Sequence, residues 1–525
     1  MLFNSYEFLL FLPASIIIYY IIGRIKNYLG IIFIVLSSLF FYAWWDIRFL
    51  PLLLASVITN YTAGRLIDRS LSSANARLAD ILLSVAVALN LCFISAFKYS
   101  AFFIENINTL FGTKFFIWDV ILPLGISFFT FEQIAYLVDI RRNRIVDAGL
   151  LRYFLFVAFF PRLVAGPILR YNEIEPQIPD GKPALLWENV AVGLTIFMFG
   201  LTKKTLLADG IAPYASPIFA LADSGDPVDF FTAWGGALAY TLQLYFDFSG
   251  YSDMAIGAAR CFGIRFPLNF FSPYKATSII DFWHRWHITL SRFLRDYLYI
   301  PLGGNRRGQS RRYANLMITM LLGGLWHGAS WTFVVWGGLH GLYLACNHAW
   351  IALRRRVWWL DRLHAYKVVT ALCWLVTFLA VVVGWVFFRA PSFDAALTIL
   401  RGMIGLNGVA IPSGLAFVFG SHTMWLTEFG ITLSNRSGAA FVETYLWVSA
   451  LLGIALFMPN VQELMSKWKP TIEWPDATAS PKLSHAPEPR LLWSPLPRWA
   501  VVSAAVTIAG VLSITRGSEF LYWQF

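Results

Sequence analysis

The sequence predicts an all-α polytopic membrane protein on three observations: a deficit of charge, a series of long apolar runs, and basic clusters placed between them. Of its 525 residues 58% are hydrophobic, 17% aromatic and only 14% charged, with a mean hydropathy of +0.61. A water-soluble chain carries about a quarter charged residues, so most of this surface faces lipid.

The apolar runs lie near 8–22, 30–45, 51–66, 79–97, 119–138, 150–169, 188–202 and 230–264, then within 314–350 (two runs), 368–388, 441–458 and 499–515. Each approaches the length needed to cross a hydrocarbon core about 30 Å thick. Gly and Pro interrupt several, which predicts roughly eleven to thirteen transmembrane helices with re-entrant and interfacial helices beside them. The opening MLFNSYEFLLFLP lacks a basic n-region and a small-residue cleavage site, so it reads as a retained first span.

Lys and Arg mark the cytoplasmic ends of spans. Arg24 with Lys26, Arg65 with Arg69, Arg141, Arg142 and Arg144, Lys203 with Lys204, the loop NRRGQSRR (305–312), Arg354 to Arg356, and Lys467, Lys469, Lys482 and Arg490 all fall on one side of the runs. Both termini and the 389–440 segment are then extracytoplasmic. The 466–497 stretch, rich in Pro and charge, reads as a mobile cytoplasmic loop in an otherwise single membrane domain, 1–525. The formal charge of +11 is accounted for by these loops, which argues against nucleic-acid binding. Cys92, Cys261, Cys346 and Cys373 occur singly in apolar stretches and read as small buried hydrophobes, with neither disulfide nor metal spacing.

Two stretches carry possible chemistry: DFWHRWHITLSRFLRDYLYIPLGGNRRG (281–308) and LLGGLWHGASWTFVVWGGLHG (321–341). A helix over 281–297 gathers Phe282, Trp283, Trp286, Leu290, Phe293, Leu294 and Tyr297 on one face and Asp281, Arg285, Arg292, Arg295 and Asp296 on the other. That is an amphipathic helix of the kind that lies at a membrane interface. On its wheel His284 joins the charged side and His287 the apolar edge. The His-x-x-His spacing also suits a metal, but no Cys, Glu or further His nearby completes a ligand set, so no metal is expected.

His327 follows Arg312 by fifteen residues, roughly 22 Å of helix, which places it inside the hydrocarbon. An ionisable residue at that depth faces a bundle interior and is a functional candidate by default. Gly323, Gly324, Gly328, Ala329 and Ser330 surround it with small residues, and Gly324 with Gly328 permits close helix approach or unwinding. A neutral core histidine bonded to a carbonyl is the competing reading. His340, among Trp and Gly, reads as packing. Asp247 and Asp253 interrupt another membrane run and read as a buried polar network. The loop arginines Arg306, Arg307, Arg311 and Arg312 follow two glycines, a composition that can bind phosphate and that equally satisfies the charge rule alone.

Taken together, FWHRWHITLSRFLRDYLYIPLGGNR followed by GLWHGASW resembles the membrane-bound O-acyltransferase family, nearest to its alginate O-acetylation branch. MLFNSYEFLLFLP, FDFSGYSDMAIG and FLYWQF extend the resemblance over nearly the whole chain. It implies a helical bundle around a central tunnel, with His327 and His287 as the catalytic pair. His284 stands where the family usually has a basic residue. It implies further that an acyl group, most plausibly from acetyl-CoA, passes from the cytoplasmic side to an extracytoplasmic acceptor. His327 would act as base toward a hydroxyl, and His287 would donate to the oxyanion or orient the donor. Arg306, Arg307, Arg311 and Arg312, with Trp286, would help bind the donor, and no cofactor is expected. The expected partners are the lipid bilayer and either a serine-hydrolase-type transfer protein or a polysaccharide acceptor, in a bacterial inner membrane. A transporter or flippase without acyl transfer fits the polytopic character as well, although no inverted repeat is visible.

Overall fold

A backbone in lipid must satisfy its own hydrogen bonds, so apolar runs of this length fold as helices. The computed structural model describes residues 1–118, 120–145, 149–363, 366–415, 428, 430–472, 491–514 and 521. Among the described residues helix dominates, with one two-stranded parallel sheet pairing Val409–Pro412 with Ile431–Ser434.

Among the described residues six helices are long and apolar enough to cross a membrane: Tyr6–Ile25, Ile47–Ser72, Ala76–Lys98, Trp187–Asp223, Lys367–Arg389 and Gly438–Phe457. Asn27–Ala43 and Pro497–Leu512 are apolar but shorter. Length and hydropathy single out only the six, and a helix enclosed by protein can be less apolar than one facing lipid. The Phe230–Cys261 helix, 32 residues long, is buried at every position from Ala239 to Cys261. Facing protein on all sides, it can carry Gln243, Asp247, Asp253 and Arg260, which lower its hydropathy.

Two expected boundaries are corrected. The 150–169 run is not one continuous helix: Leu150–Ala158 and Phe160–Leu163 are short helices broken at Phe159, and residues 155–169 are buried in the protein. Arg162, paired with Glu132 and donating to the carbonyls of Phe156 (2.6 Å) and Val157 (2.8 Å), pins this broken segment. Second, Lys203 and Lys204 do not lie in a loop. Trp187–Asp223 runs through them in a π-helical turn, Lys203–Ala208, and Lys204 is buried. Lys203 pairs with Asp253 (2.6 Å), and Lys204 with Asp247 (2.6 Å) and Asp209 (2.8 Å). The expected aspartate network therefore recruits both lysines.

Glycines set the tightest helix approaches. A Cβ at Gly193 would lie 2.6 Å from the Gly257 carbonyl and one at Gly200 2.6 Å from that of Gly250, which makes Trp187–Asp223 and Phe230–Cys261 an antiparallel pair. A Cβ at Gly324 would lie 2.2 Å from the Phe333 carbonyl and one at Gly337 2.2 Å from that of Met320. The Gln309–His327 and Trp331–Arg356 helices thus pack backbone to backbone, the close approach expected at Gly324.

Of the cysteines only Cys261 is buried; Cys92 and Cys346 are exposed on helices. Their surroundings are apolar because the outer surface meets lipid, which is why composition alone suggested a core position. The ends of the expected 466–497 loop are not loose: the Trp468 and Trp493 rings pack 5.7 Å apart, and Ile472 N–H donates to the Phe266 carbonyl. Residues 473–490 of that stretch, 416–427 and 429 of the 389–440 segment, and all of the closing SEFLYWQF but Leu521 lie outside the described residues.

Candidate active site

The helix expected over 281–297 is broken in the middle. Ile279–Trp283 ends, His284 to Trp286 unwind, and His287 adopts a left-handed conformation (φ 43°, ψ 53°) before Ile288–Leu294 and a π-helical Arg295–Tyr299. The loop at 269–271 holds the break open: Phe271 N–H donates to the Arg285 carbonyl and Ile288 N–H to the Asn269 carbonyl, each at 2.9 Å. The freed backbone groups thereby find partners without water. His287 still points inward and is fully buried, while His284 is half-buried. The charged side is paired, with Arg285 on Asp281 (2.9 Å), Arg292 on Glu173 and Arg170 on Asp296.

His327 is the last residue of Gln309–His327; Gly328 turns extended and Ser330 caps Trp331–Arg356, its hydroxyl accepting from Thr332 N–H. Phe333 occupies the space beside Gly328, where a Cβ would come within 2.2 Å of its ring. His327 is buried, with ring centres 5.0 Å from Trp326, 5.0 Å from Trp336, 5.2 Å from Phe388 and 6.4 Å from His287. The two candidate histidines therefore share one aromatic chamber.

A helix that ends inside a membrane leaves carbonyls without partners. Here the end of another helix supplies them. Lys98 Nζ donates to the carbonyls of Trp326 (2.7 Å) and His327 (3.0 Å), and Tyr99 OH to that of Leu325 (2.9 Å).

His340 is fully buried against Trp336 (4.8 Å) and Trp283 (5.2 Å), and neither ring nitrogen has a hydrogen-bond partner among the described residues. Trp286 lies in the same wall, buried against Trp385 (4.8 Å) and Phe270 (5.0 Å). The loop arginines are not brought here. Arg306, Arg307 and Arg311 are exposed and Arg312 donates to His348 Nδ1 (2.6 Å), at the opposite end of the helix that carries His327.

Sequence reasoning missed Asn269, Lys98 and Tyr99. Asn269 sits in a loop of unremarkable composition, and Lys98 reads as a charge closing an apolar run. Only the fold carries them to the histidines.

Residues 31–386 match the membrane-bound O-acyltransferase (MBOAT) family. The chain belongs to this family. It is 40% identical to the protein named probable alginate O-acetylase AlgI of Azotobacter vinelandii, over 100% of both chains. It is 43% identical to the peptidoglycan O-acetyltransferase of Helicobacter pylori, over 78% of this chain and 81% of that one. A more distant relative, the teichoic acid D-alanyltransferase of Streptococcus thermophilus, is 30% identical over 45% of this chain and 59% of its own. The matched region contains both histidines, the break at 284–287 and the Lys98 contact, so nearly all of the chamber lies within the part that defines this MBOAT chain as a membrane acyltransferase.

Proposed function

We propose that the chain moves an acetyl group from acetyl-CoA on the cytoplasmic side of a bacterial inner membrane to a hydroxyl of a cell-envelope or secreted polysaccharide outside. The transfer is direct or passes through a serine-hydrolase-type partner docked on the extracytoplasmic face. The relatives named as alginate and peptidoglycan O-acetylating proteins support the acyl group and the class of acceptor. The termini are extracytoplasmic in this reading, following the basic clusters at 24–26, 141–144, 305–312 and 354–356.

The observation that carries the reading is a pair of histidines whose ring centres lie 6.4 Å apart, both buried in one aromatic chamber. The attacking hydroxyl gives its proton to His327 as its oxygen bonds to the thioester carbonyl carbon. The C–S bond then breaks, and the proton passes to the departing CoA thiolate. Ester and free CoA are the products, and no other reactant is needed. His287 and Trp286 position the reacting groups, and the exposed arginines of 306–312 attract the CoA phosphates at the membrane surface, at a distance from the chemistry.

Purified protein supplied with acetyl-CoA and a hydroxyl-bearing polysaccharide acceptor should release free thiol, and His327→Ala should lower that release by about a hundredfold or more while retaining its detergent-solubilised melting profile. Wild-type release in that variant would end the assignment. A solute carrier would consume no thioester at all.

A further inference from the structure

The tautomer of His287 is fixed by its neighbours. Its Nδ1 lies 3.1 Å from Asn269 Oδ1, and both residues are fully buried. Which end of the Asn269 amide is oxygen follows from groups with no freedom of role. Thr289 N–H can only donate, and it approaches that atom at 3.4 Å. Ile168 N–H meets Thr289 Oγ1 at 2.9 Å, and the Thr289 hydroxyl proton can then go to the same Asn269 atom, also at 2.9 Å. An NH2 group there would be set against the Thr289 N–H, which has no acceptor role to offer it. Asn269 Nδ2 instead donates to Ser252 Oγ at 3.0 Å. The acceptor end of Asn269 therefore faces His287, and Nδ1 must hold the proton.

We infer that Asn269 is a positioning residue that holds His287 as the Nδ1–H tautomer, so that neutral His287 brings an unprotonated Nε2 to the chamber. Asn269 also accepts Ile288 N–H through its carbonyl (2.9 Å), so one residue sets both the backbone turn and the ring at 287. The chemical consequence rests on the acyl-transfer reading; the tautomer does not. A neutral imidazole has one N–H, and here it is committed to Asn269. His287 cannot donate to an oxyanion through Nε2 until it has first taken a proton. It enters the cycle as an acceptor, either of the hydroxyl proton or of a hydrogen bond that aims the hydroxyl.

The test has two arms on the full-length protein in lipid. Nitrogen-15 NMR of histidine-labelled protein, with His287→Gln identifying the signal, should show a protonated Nδ1 and a bare Nε2 at 287. A protonated Nε2 would overturn the inference whether or not the protein transfers acetyl. In the second arm, release of CoA from acetyl-CoA in the presence of a hydroxyl-bearing polysaccharide acceptor is followed kinetically. Asn269→Leu should lower kcat about tenfold or more with KM within about twofold, and Asn269→Asp, which keeps an oxygen acceptor, should recover most of it. Wild-type kcat in Asn269→Leu would refute the positioning role. Thioester left intact by the wild type would instead count against the transferase reading and leave the NMR arm to judge the tautomer.

Discussion

His287 is the one residue of the chamber whose backbone and side chain make opposing demands. A left-handed conformation at a non-glycine costs about 1–2 kcal/mol, yet the position carries an imidazole whose ring is held by Asn269. Such an outlier persists where the surroundings over-determine it. His287→Gly should therefore melt higher than His287→Ala although both lose the ring, and both should transfer acetyl poorly; differential scanning fluorimetry beside the CoA assay separates the two effects. Equal melting points would show that the backbone is unstrained. Both histidines stood out in the sequence, His327 by lying fifteen residues of helix beyond Arg312 and His287 by its place on the apolar edge of the 281–297 wheel. Their partners did not. Asn269 reaches His287 by a chain reversal, and Lys98 reaches the His327 carbonyl across 229 residues, so neither contact leaves a periodic trace.

At the scale of elements, the decisive features are helix ends. The amphipathic pattern over 281–297 survives the break at 284–287, because no Gly or Pro marks the interruption and the apolar residues on both sides still face inward. Periodicity therefore predicted a continuous helix, and backbone pairing with 269–271 overrode it. The end of Gln309–His327 depends likewise on Lys98. In Lys98→Met, two carbonyls lose an ionic donor, and His327 loses the anchor that sets its position. We expect kcat to fall about tenfold or more, with a smaller fall in Lys98→Arg, measured as CoA release. An unchanged rate in Lys98→Met would show that the helix end is held by packing alone. The glycine contact between this helix and Trp331–Arg356 sets a separate limit. Gly337→Ala puts a methyl 2.2 Å from the Met320 carbonyl and should destabilise the protein by roughly 1–3 kcal/mol, visible as a lower melting temperature.

Over the whole molecule, hydropathy gave the class correctly and the roles of individual apolar runs less well. Hydropathy reports which helices touch lipid, whereas the Phe230–Cys261 helix touches almost none, and the 150–169 run is apolar because it packs inside protein. The charge rule failed at Lys203 and Lys204 for the complementary reason: two aspartates on the neighbouring helix make those charges internal. Lys204→Met leaves Asp247 buried opposite an apolar side chain, a loss of roughly 3–5 kcal/mol for such a broken pair, and Asp247→Asn in the same chain should restore part of the folded yield seen by detergent size-exclusion chromatography. A double variant no better than Lys204→Met would mean that the two side chains are not energetically coupled.

The same pairing bears on how the protein is made. A nascent segment bearing Asp247, Asp253 and Arg260 is a poor candidate to leave the translocation channel alone, since each such charge at mid-membrane opposes insertion by about 2.5–3.5 kcal/mol. Its predecessor, emerging first with Lys203 and Lys204, carries the complementary charges. Entering lipid together as a hairpin, the two segments would bring Lys203 to Asp253 and Lys204 to Asp247 already neutralised, and the order of synthesis puts the lysines there first.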